Sequence, residues 1–235
     1  MSKVTVLDMA NSTGGLTEQF GTMADIILKC AGVAKEDADI VFVAEGQELP
    51  NFDQVTSVII SGSMAMVTDK PEWAMKASEW LKEAEKKNIP MLGICFGHQL
   101  LAYTFGGKVD WHPCGMQFKT KLIEVTKEGE TDLLMSKMPK TFLANVGNSQ
   151  SVIELPPGAV RICTNQTEVN ASFRLKDNIW GIQFHPEITD EYLKAILLSV
   201  KDSMAAGGVD TTELLKNIQP THCCDILKNF VELAQ

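Results

Sequence analysis

Short runs of apolar and β-branched residues recur along the chain and predict the strands of a sheet, because such runs are typical of buried strands. Turn-forming or polar residues separate the runs, so each one predicts a strand of its own. The runs lie at Val4–Leu7, Ile40–Val43, Val58–Ile60, Met91–Ile94, Lys121–Val125, Val160–Cys163 and Ile179–Phe184.

Between the early runs lie segments with the periodicity of amphipathic helices. Residues 16–30 and 73–84 carry apolar side chains at roughly helical spacing. This strand–helix–strand alternation predicts an α/β fold, with an open, mostly parallel twisted sheet and helices on both faces.

The middle of the chain has a different pattern. Residues 108–184 are rich in strand and loop signals and contain the turn sequence Leu155-Pro-Pro-Gly158. Strands joined by short turns pair in antiparallel fashion. We therefore predict that this region adds antiparallel strands to the sheet.

The chain becomes helical again near its end. Residues 190–204 and 225–234 have helical periodicity, and Thr189-Asp190 precedes the first of these segments. Either short side chain can accept hydrogen bonds from the free N–H groups of a helix start. We expect a single domain over residues 1–235, with a helical tail over about 190–235.

Composition and charge limit the classes of function that the protein can have. The 235 residues are 45% hydrophobic and 22% charged, with a formal net charge of −9. These values are typical of one globular domain, and an acidic surface repels phosphate backbones, which argues against a nucleic-acid partner. No stretch approaches the roughly 18 apolar residues of a transmembrane helix, and the N-terminal residues do not resemble a signal peptide. We expect no contact with membranes.

The cysteine pattern carries information about compartment and metals. The chain contains no Cys-x-x-Cys pair, and adjacent cysteines are poorly placed to bridge each other. We therefore predict reduced thiols, no metal site and a cytoplasmic protein, with Cys223 and Cys224 as small apolar core residues. The six cysteines are Cys30, Cys95, Cys114, Cys163, Cys223 and Cys224.

Cys95 stands out from the other cysteines because two glycines frame it. The sequence Gly93-Ile-Cys-Phe-Gly97 falls between the strand pattern of 91–94 and a helix pattern over 96–104. The same form, Gly-x-Ser-x-Gly, holds nucleophiles at a sharp strand-to-helix turn. The helix start offers free N–H groups and a positive dipole end, which favour a thiolate and an oxyanion. The alternative is a cysteine packed between strand and helix; the glycine frame favours a nucleophile.

A cysteine nucleophile needs a base, and histidine is the side chain suited to neutral pH. His98 points about 300° around the same helix from Cys95 and is interpreted as a packing or surface residue. His112 is interpreted as a loop residue, and His222 lies near a helix start.

His185 has the most informative setting. It lies two residues before Glu187, at the end of the predicted strand Ile179–Phe184. Residues i and i+2 of a strand project to the same side, so the carboxylate can orient the imidazole. In open α/β sheets, reactive groups gather at the carboxyl ends of strands. We predict a nucleophile, base and orienting acid in the order Cys95, His185, Glu187.

Two segments of the chain resemble the motifs of a known protein family. The segments 90–99, Pro-Met-Leu-Gly-Ile-Cys-Phe-Gly-His-Gln, and 181–187, Gly-Ile-Gln-Phe-His-Pro-Glu, resemble the two hallmark motifs of class I (triad-type) glutamine amidotransferases. Residues 58–63, 115–118, 155–159 and 170–174 resemble further parts of the amidotransferase domain of GMP synthetase. The resemblance covers roughly residues 40–190 and implies a flavodoxin-like fold in a stand-alone form of the domain.

The resemblance also implies roles for individual residues. Cys95 would form a γ-glutamyl thioester, His185 would act as acid and base, and Glu187 would orient His185. The backbone N–H groups of Ser63 and Phe96 would form the oxyanion hole. The substrate-binding positions are Gly62, Gln99, Asn145 and Gly147. A solvated helix glutamine is the alternative for Gln99.

Further implications concern ligands and partners. The resemblance implies L-glutamine or another γ-glutamyl compound as substrate, no cofactor, and an ammonia-accepting synthetase as a possible partner. Two segments depart from the family pattern. Ser61-Gly-Ser-Met64 replaces the common Ser-Gly-Gly-Pro, and residues 142–152 lack the Ser-His-x-Asp of GMP synthetase-type domains.

Three functions are therefore considered. The first is a glutamine amidotransferase of class I that releases glutamate and ammonia. The second is a γ-glutamyl peptide hydrolase that uses the same three residues, which the altered segment 142–152 favours mildly. The third is a non-catalytic binding or regulatory protein, against which the intact Cys95, His185 and Glu187 argue.

Overall fold

A computed structural model of the protein describes residues 3–11, 15–206 and 210–234. The strands are β1 (Val4–Asp8), β2 (Ala38–Phe42), β3 (Ser57–Ile60), β4 (Met91–Ile94), β5 (Lys108–Trp111), β6 (Gln117–Val125), β7 (Thr141–Asn148), β8 (Gln150–Glu154), β9 (Val160–Thr164), β10 (Ser172–Leu175) and β11 (Ile179–Ile182). The helices are α1 (Gly15–Phe20), α2 (Met23–Ala31), α3 (Glu72–Lys86), α4 (Phe96–Thr104), α5 (Asp190–Ser199), α6 (Lys201–Ala206), α7 (Thr211–Lys216) and α8 (Asp225–Leu233).

One nine-stranded sheet organises these elements, in the order β2-β1-β3-β4-β11-β10-β9-β6-β7. The pairs from β2 to β11 are parallel, and the pairs from β11 to β7 are antiparallel. Strands β5 and β8 form a second, antiparallel sheet. The structure confirms the predicted α/β architecture, in which antiparallel strands are added to a parallel sheet.

Apolar side chains cover both faces of the parallel half. Helices α2 and α8 pack on one face, where Ile27 and Phe230 are fully buried. Helices α3 and α4 pack on the other face, where Leu81 and Leu100 are fully buried. Strands that are buried on both faces need continuous apolar runs, which is why the sequence pattern located β1, β3 and β4 well.

Several predicted helices are divided in the structure. The pattern over 16–30 suggested one helix, but Gly21 takes a φ of 88° and ends α1. Thr22 then starts α2 with a capping box: its side chain accepts from Asp25 N, and the Asp25 carboxylate accepts from Thr22 N. The pattern over 190–204 is likewise divided, into α5 and α6. The N-cap prediction holds at Thr189, whose Oγ1 accepts from Tyr192 N at 3.2 Å.

The cysteine prediction was wrong for two of the six residues. Cys30, on α2, and Cys224, just before α8, form a disulfide with a Cα–Cα distance of 5.2 Å. They are 194 residues apart in sequence, so no local spacing could indicate the pairing. The two sulfur atoms lie 3.3 Å and 3.6 Å from the carbonyl oxygen of Pro186. The bridge therefore lies directly behind the segment that carries His185 and Glu187.

No helix within the described ranges combines the length and the apolar character that crossing a bilayer requires.

The disulfide gives the first testable prediction. Reduction should lower the free energy of unfolding by about 3 kcal/mol, because the bridge closes a long loop and restricts the unfolded chain. Urea unfolding with and without a phosphine reductant measures the difference. The double variant Cys30→Ser/Cys224→Ser is the control and should be insensitive to the reductant. Thiol titration of the denatured, unreduced protein should count the four remaining free cysteines; six would contradict the bridge.

Candidate active site

Cys95 lies at the turn between β4 and α4. Its backbone has φ 52° and ψ −102°, a conformation that non-glycine residues rarely adopt. Its N–H donates to Ile182 O at 2.8 Å, and its carbonyl accepts from Gln99 N at 3.0 Å. The flanking strand and helix have the bounds that the sequence predicted. Cys95 therefore has the strained strand-to-helix geometry expected of a nucleophile elbow.

Two glycines allow this turn because the backbone passes close to its neighbours. A Cβ at Gly93 would lie 2.4 Å from Gly97 O, and a Cβ at Gly97 would lie 2.4 Å from Ile60 O. Side-chain carbons do not approach backbone oxygens so closely. Glycine at both positions lets α4 start directly against β3 and β4.

His185 and Glu187 lie just beyond the end of β11. The strand ends at Ile182 rather than at the predicted Phe184, and His185 is held by a single bridge in which its N–H donates to Asn145 O at 2.8 Å. Nδ1 of His185 lies 2.6 Å from Oε1 of Glu187. The two side chains are 6% and 0% exposed. The contact fixes the orientation of the imidazole, as the i, i+2 spacing suggested.

The charge state of His185 follows from its neighbours. Burial by itself would lower the pKa of the imidazole, but negative charge at Glu187 and Cys95 and hydrogen bonds to both outweigh burial and raise the pKa. Since Nδ1 is taken by Glu187, Nε2 is the nitrogen left for the Cys95 thiol. The arrangement can accept the thiol proton and hold it.

Gly62 lies against the side chains of His185 and Cys95. A Cβ at this position would lie 3.0 Å from Cε1 of His185 and 3.6 Å from Cβ of Cys95. The Oγ of the next residue, Ser63, accepts from Ala65 N at 3.2 Å. The absence of a side chain at Gly62 leaves the space between the imidazole and the thiol open.

Phe96 is the first residue of α4. Backbone N–H groups in the first turn of a helix have no intrahelical partner, so the Phe96 N–H is available beside Cys95. Gly147 faces Cys95 from the other side, with its carbonyl oxygen 3.6 Å from Sγ. These two backbone groups and Gly62 surround the thiol.

Asn145 and Gln99 occupy supporting positions. The Asn145 amide is fully buried; its Nδ2 donates to Ile188 O at 2.9 Å, and its Oδ1 accepts from Thr120 Oγ1 at 2.7 Å. Both polar atoms of the Asn145 side chain are therefore used in hydrogen bonds that hold β7 in place behind His185. Gln99 is 4% exposed, which excludes a solvated helix glutamine.

The Gln99 amide connects α4 to two other segments. Its Nε2 donates to Gln150 O at 2.8 Å and to Gln183 Oε1 at 3.0 Å. Gln150 in turn donates through its own amide to Thr68 Oγ1 at 2.5 Å. Sequence reasoning missed Gln150 and Thr68. For Gln183 a signal existed, since it shares the i, i+2 alternation with His185.

The remaining histidines are distinguished by their surroundings. His98 is fully buried on α4, with its ring centroid 5.0 Å from that of Phe173, which confirms a packing position. Burial lowers the pKa of His98 to about 3, so it stays neutral. His112 lies in a loop, as predicted, but is buried, with Nε2 3.5 Å from Oε2 of Glu168. His222 is exposed before α8.

The class of protein is given by a family comparison. Residues 25–199 match the model of the class-I glutamine amidotransferases. The match spans well over half of the chain, so the chain belongs to this family.

Individual relatives refine the comparison. Gamma-glutamyl peptidase 4 of Arabidopsis thaliana is 28% identical over 193 residues, which cover 80% of this chain and 75% of that protein. GMP synthase (glutamine-hydrolyzing) of Thermosipho africanus is 35% identical over 147 residues, which cover 62% of this chain but 26% of that protein. The chain thus matches only about a quarter of the GMP synthase.

A solved structure shows the same fold. A glutamine amidotransferase from Thermotoga maritima superposes with a TM-score of 0.75 and 19% sequence identity, covering 100% of this chain and 98% of its own. At this identity the likeness concerns the fold, including the mixed sheet.

The burial of His98 gives a pH-dependent prediction. The folded pKa is lowered from 6.5 to about 3, so the unfolded chain binds a proton between these values and the folded chain does not. Stability contributed by neutral His98 is present at pH 7.5 and is lost as pH falls. The free energy of unfolding, relative to a His98→Gln variant, should decrease by about 2 kcal/mol between pH 7.5 and pH 5. Urea titrations at both pH values measure it, and a constant difference would contradict a neutral buried imidazole.

Proposed function

We propose that the protein hydrolyses the side-chain amide of glutamine through a γ-glutamyl thioester on Cys95, with release of glutamate and ammonia. The observation that carries the proposal is the 2.6 Å contact between Nδ1 of His185 and Oε1 of Glu187, which orients an imidazole toward the thiol. Membership of the amidotransferase family supports the choice of reaction.

In the first half of the proposed reaction, the thiol proton passes to Nε2 of His185 and the Cys95 sulfur attacks the amide carbon. The tetrahedral oxyanion is stabilised by the backbone N–H groups of Ser63 and Phe96, each of which contributes about 3 kcal/mol in comparable sites. When the C–N bond breaks, His185 delivers its proton to the leaving ammonia. A thioester between Cys95 and the γ-carbonyl remains.

In the second half, His185 takes a proton from a water molecule, and the water oxygen attacks the thioester carbon. Collapse of the second tetrahedral state breaks the C–S bond, and the sulfur regains its proton from His185. Glu187 keeps the imidazole in one orientation throughout and stabilises its cationic form. The products are glutamate and ammonia, and Cys95 is regenerated.

A second candidate is hydrolysis of the γ-glutamyl bond of a peptide, with the same three residues. Two observations favour it. The relative named as a γ-glutamyl peptidase matches more of this chain, and more of its own length, than the GMP synthase does. In addition, the segment 142–152, in which Asn145-Val-Gly-Asn148 replaces the histidine and the acid, differs from the Ser-His-x-Asp of GMP synthetase-type domains.

If the protein hydrolyses glutamine, the released ammonia needs an acceptor. The relative named GMP synthase carries about three quarters of its length outside the matched region. We propose that an ammonia-accepting synthetase would be the partner in this reaction. In the peptidase reading, the leaving group is an amino acid or peptide amine, and no acceptor is required.

Removal of the nucleophile tests both readings. Cys95→Ala should reduce turnover by about 10⁴-fold or more, because the thioester cannot form. Cys114→Ala is the matched control, since Cys114 is an exposed free cysteine, and should retain turnover within about twofold. Glutamate release is followed by a coupled assay with L-glutamine and with γ-glutamyl dipeptides. Equal losses in both variants would contradict the assignment, and the faster substrate class decides between the two readings.

The space at Gly62 gives a second test. Gly62→Ala should lower kcat by roughly 10- to 100-fold, because the new methyl group must displace the His185 ring by a few tenths of an ångström and misplaced catalytic groups lose rate steeply. Gly15→Ala adds the same methyl where nothing lies within 4 Å and is the control. Steady-state kinetics and thermal unfolding of both variants separate catalysis from stability. An unchanged kcat in Gly62→Ala would argue against a fixed imidazole at this position.

A further inference from the structure

A small polar cavity lies behind the hairpin of β7 and β8. Four buried side-chain atoms at this cavity have no hydrogen-bond partner within the described part of the chain: Nε2 of His112, Oε1 of Gln117, Oε2 of Glu168 and Nε2 of Gln183. Unpaired buried polar atoms are costly, and a cluster of them points to a bound polar group. The cavity volume is about 10 Å³, which suits one water molecule and no organic ligand.

The four atoms have complementary hydrogen-bonding roles. His112 Nδ1 accepts from Cys114 N at 3.0 Å, so its proton is on Nε2, which is a donor. Gln183 Nε2 is also a donor, because Gln183 Oε1 already accepts from Gln99. Gln117 donates through Nε2 to the carbonyl of Gly115 at 2.8 Å, which leaves its Oε1 as an acceptor. With an ionised carboxylate as the fourth group, the cavity offers two donors and two acceptors, the set that one water satisfies.

Glu168 is the only ionisable acid of the four, and its loop holds it in place. Asn165 Oδ1 accepts from Glu168 N at 2.9 Å, and Asn165 N donates to Glu168 O at 3.0 Å. Burial raises the pKa of Glu168 to about 7, against the opposing hydrogen bonds from Ser151 and Asn148 and the charge of Lys121. Burying a carboxyl group costs free energy unless the group is hydrogen-bonded or paired, so the contacts of Glu168 have to offset that cost.

Glu168 contacts the β7–β8 hairpin, which lies beside Cys95. Its Oε1 accepts from Ser151 Oγ on β8, and Asn148, at the end of β7, lines the same cavity as Glu168. Asn148 Nδ2 donates to Gln150 O at 2.9 Å, the same oxygen that receives the Gln99 amide. One residue earlier, the carbonyl of Gly147 faces Cys95.

We infer that Glu168 is a positioning residue that fixes the segment Gly147–Gln150 against Cys95. It acts directly through Ser151. It also acts through one buried water that connects its Oε2, which lies 3.5 Å from Nε2 of His112, to the Gln183 amide. The segment forms the wall against which a γ-glutamyl substrate must lie. This inference rests on the proposed function. A substrate whose binding depends on this wall loses affinity when Glu168 is removed, whereas the chemistry at the thiol itself changes less.

The test uses Glu168→Ala and Glu168→Gln in a Cys114→Ala background, in which the free cysteines are Cys95, Cys163 and Cys223. Glu168→Ala should raise KM for the better γ-glutamyl substrate by about tenfold or more, with kcat within about threefold. Glu168→Gln keeps the volume and one acceptor oxygen but loses the second, so it should raise KM several-fold. Alkylation of Cys95 by iodoacetamide, which needs no γ-glutamyl contacts, should stay within about twofold.

The control variant is Glu154→Gln, on the exposed end of the same hairpin, and it should leave KM unchanged. A crystal structure of the unsubstituted protein should place a water within hydrogen-bond distance of Glu168 Oε2 and Gln183 Nε2. An unchanged KM in Glu168→Ala, with the parent protein active, would overturn the positioning role. Equal falls in turnover, alkylation and thermal stability would also overturn it, because they indicate general loss of folding. Failure of the parent protein to hydrolyse any γ-glutamyl compound would instead contradict the proposed function.

Discussion

The close approach of backbone to backbone at the β4–α4 turn is the constraint on which the rest of the site depends. Gly97 packs against the carbonyl of Ile60, and Gly93 packs against the carbonyl of Gly97, with no room for a side chain. This contact brings the start of α4 to the ends of β3 and β4. Cys95 then has to take its positive φ, and its thiol is presented beside free N–H groups at the helix start.

The antiparallel half of the sheet completes what the parallel half begins. The turn that carries Cys95 belongs to the parallel strands, but the end of β7 contacts Cys95 through the carbonyl of Gly147. Asn145 on the same strand pairs with His185, so one strand positions both the imidazole and the cleft wall. Networks of buried polar groups hold such geometry well only when every member has a partner. A change in β7 therefore acts on the surroundings of both His185 and Cys95.

The relatives of the chain fit this arrangement, in which the parallel strands carry Cys95 and the antiparallel strands lie opposite it. Proteins named γ-glutamyl peptidase and GMP synthase both match the chain. In this chain the β7–β8 hairpin and its support by Glu168 are the features that the family motifs do not describe.

The local sequence pattern alone determined the parallel strands, the bounds of α4, the turn at Cys95 and the i, i+2 relation of His185 and Glu187. These features could be predicted because strand runs, helical spacing and framing glycines act over a few residues. Only the tertiary structure decided the Cys30–Cys224 bridge, the strand β7 with its polar sequence, and the contact of His112 with Glu168. Each of these joins segments far apart in sequence, or buries polar groups whose partners lie elsewhere in the chain. Periodicity contains no information about which distant residue a side chain meets, so such pairings appear only when the sheet brings them together.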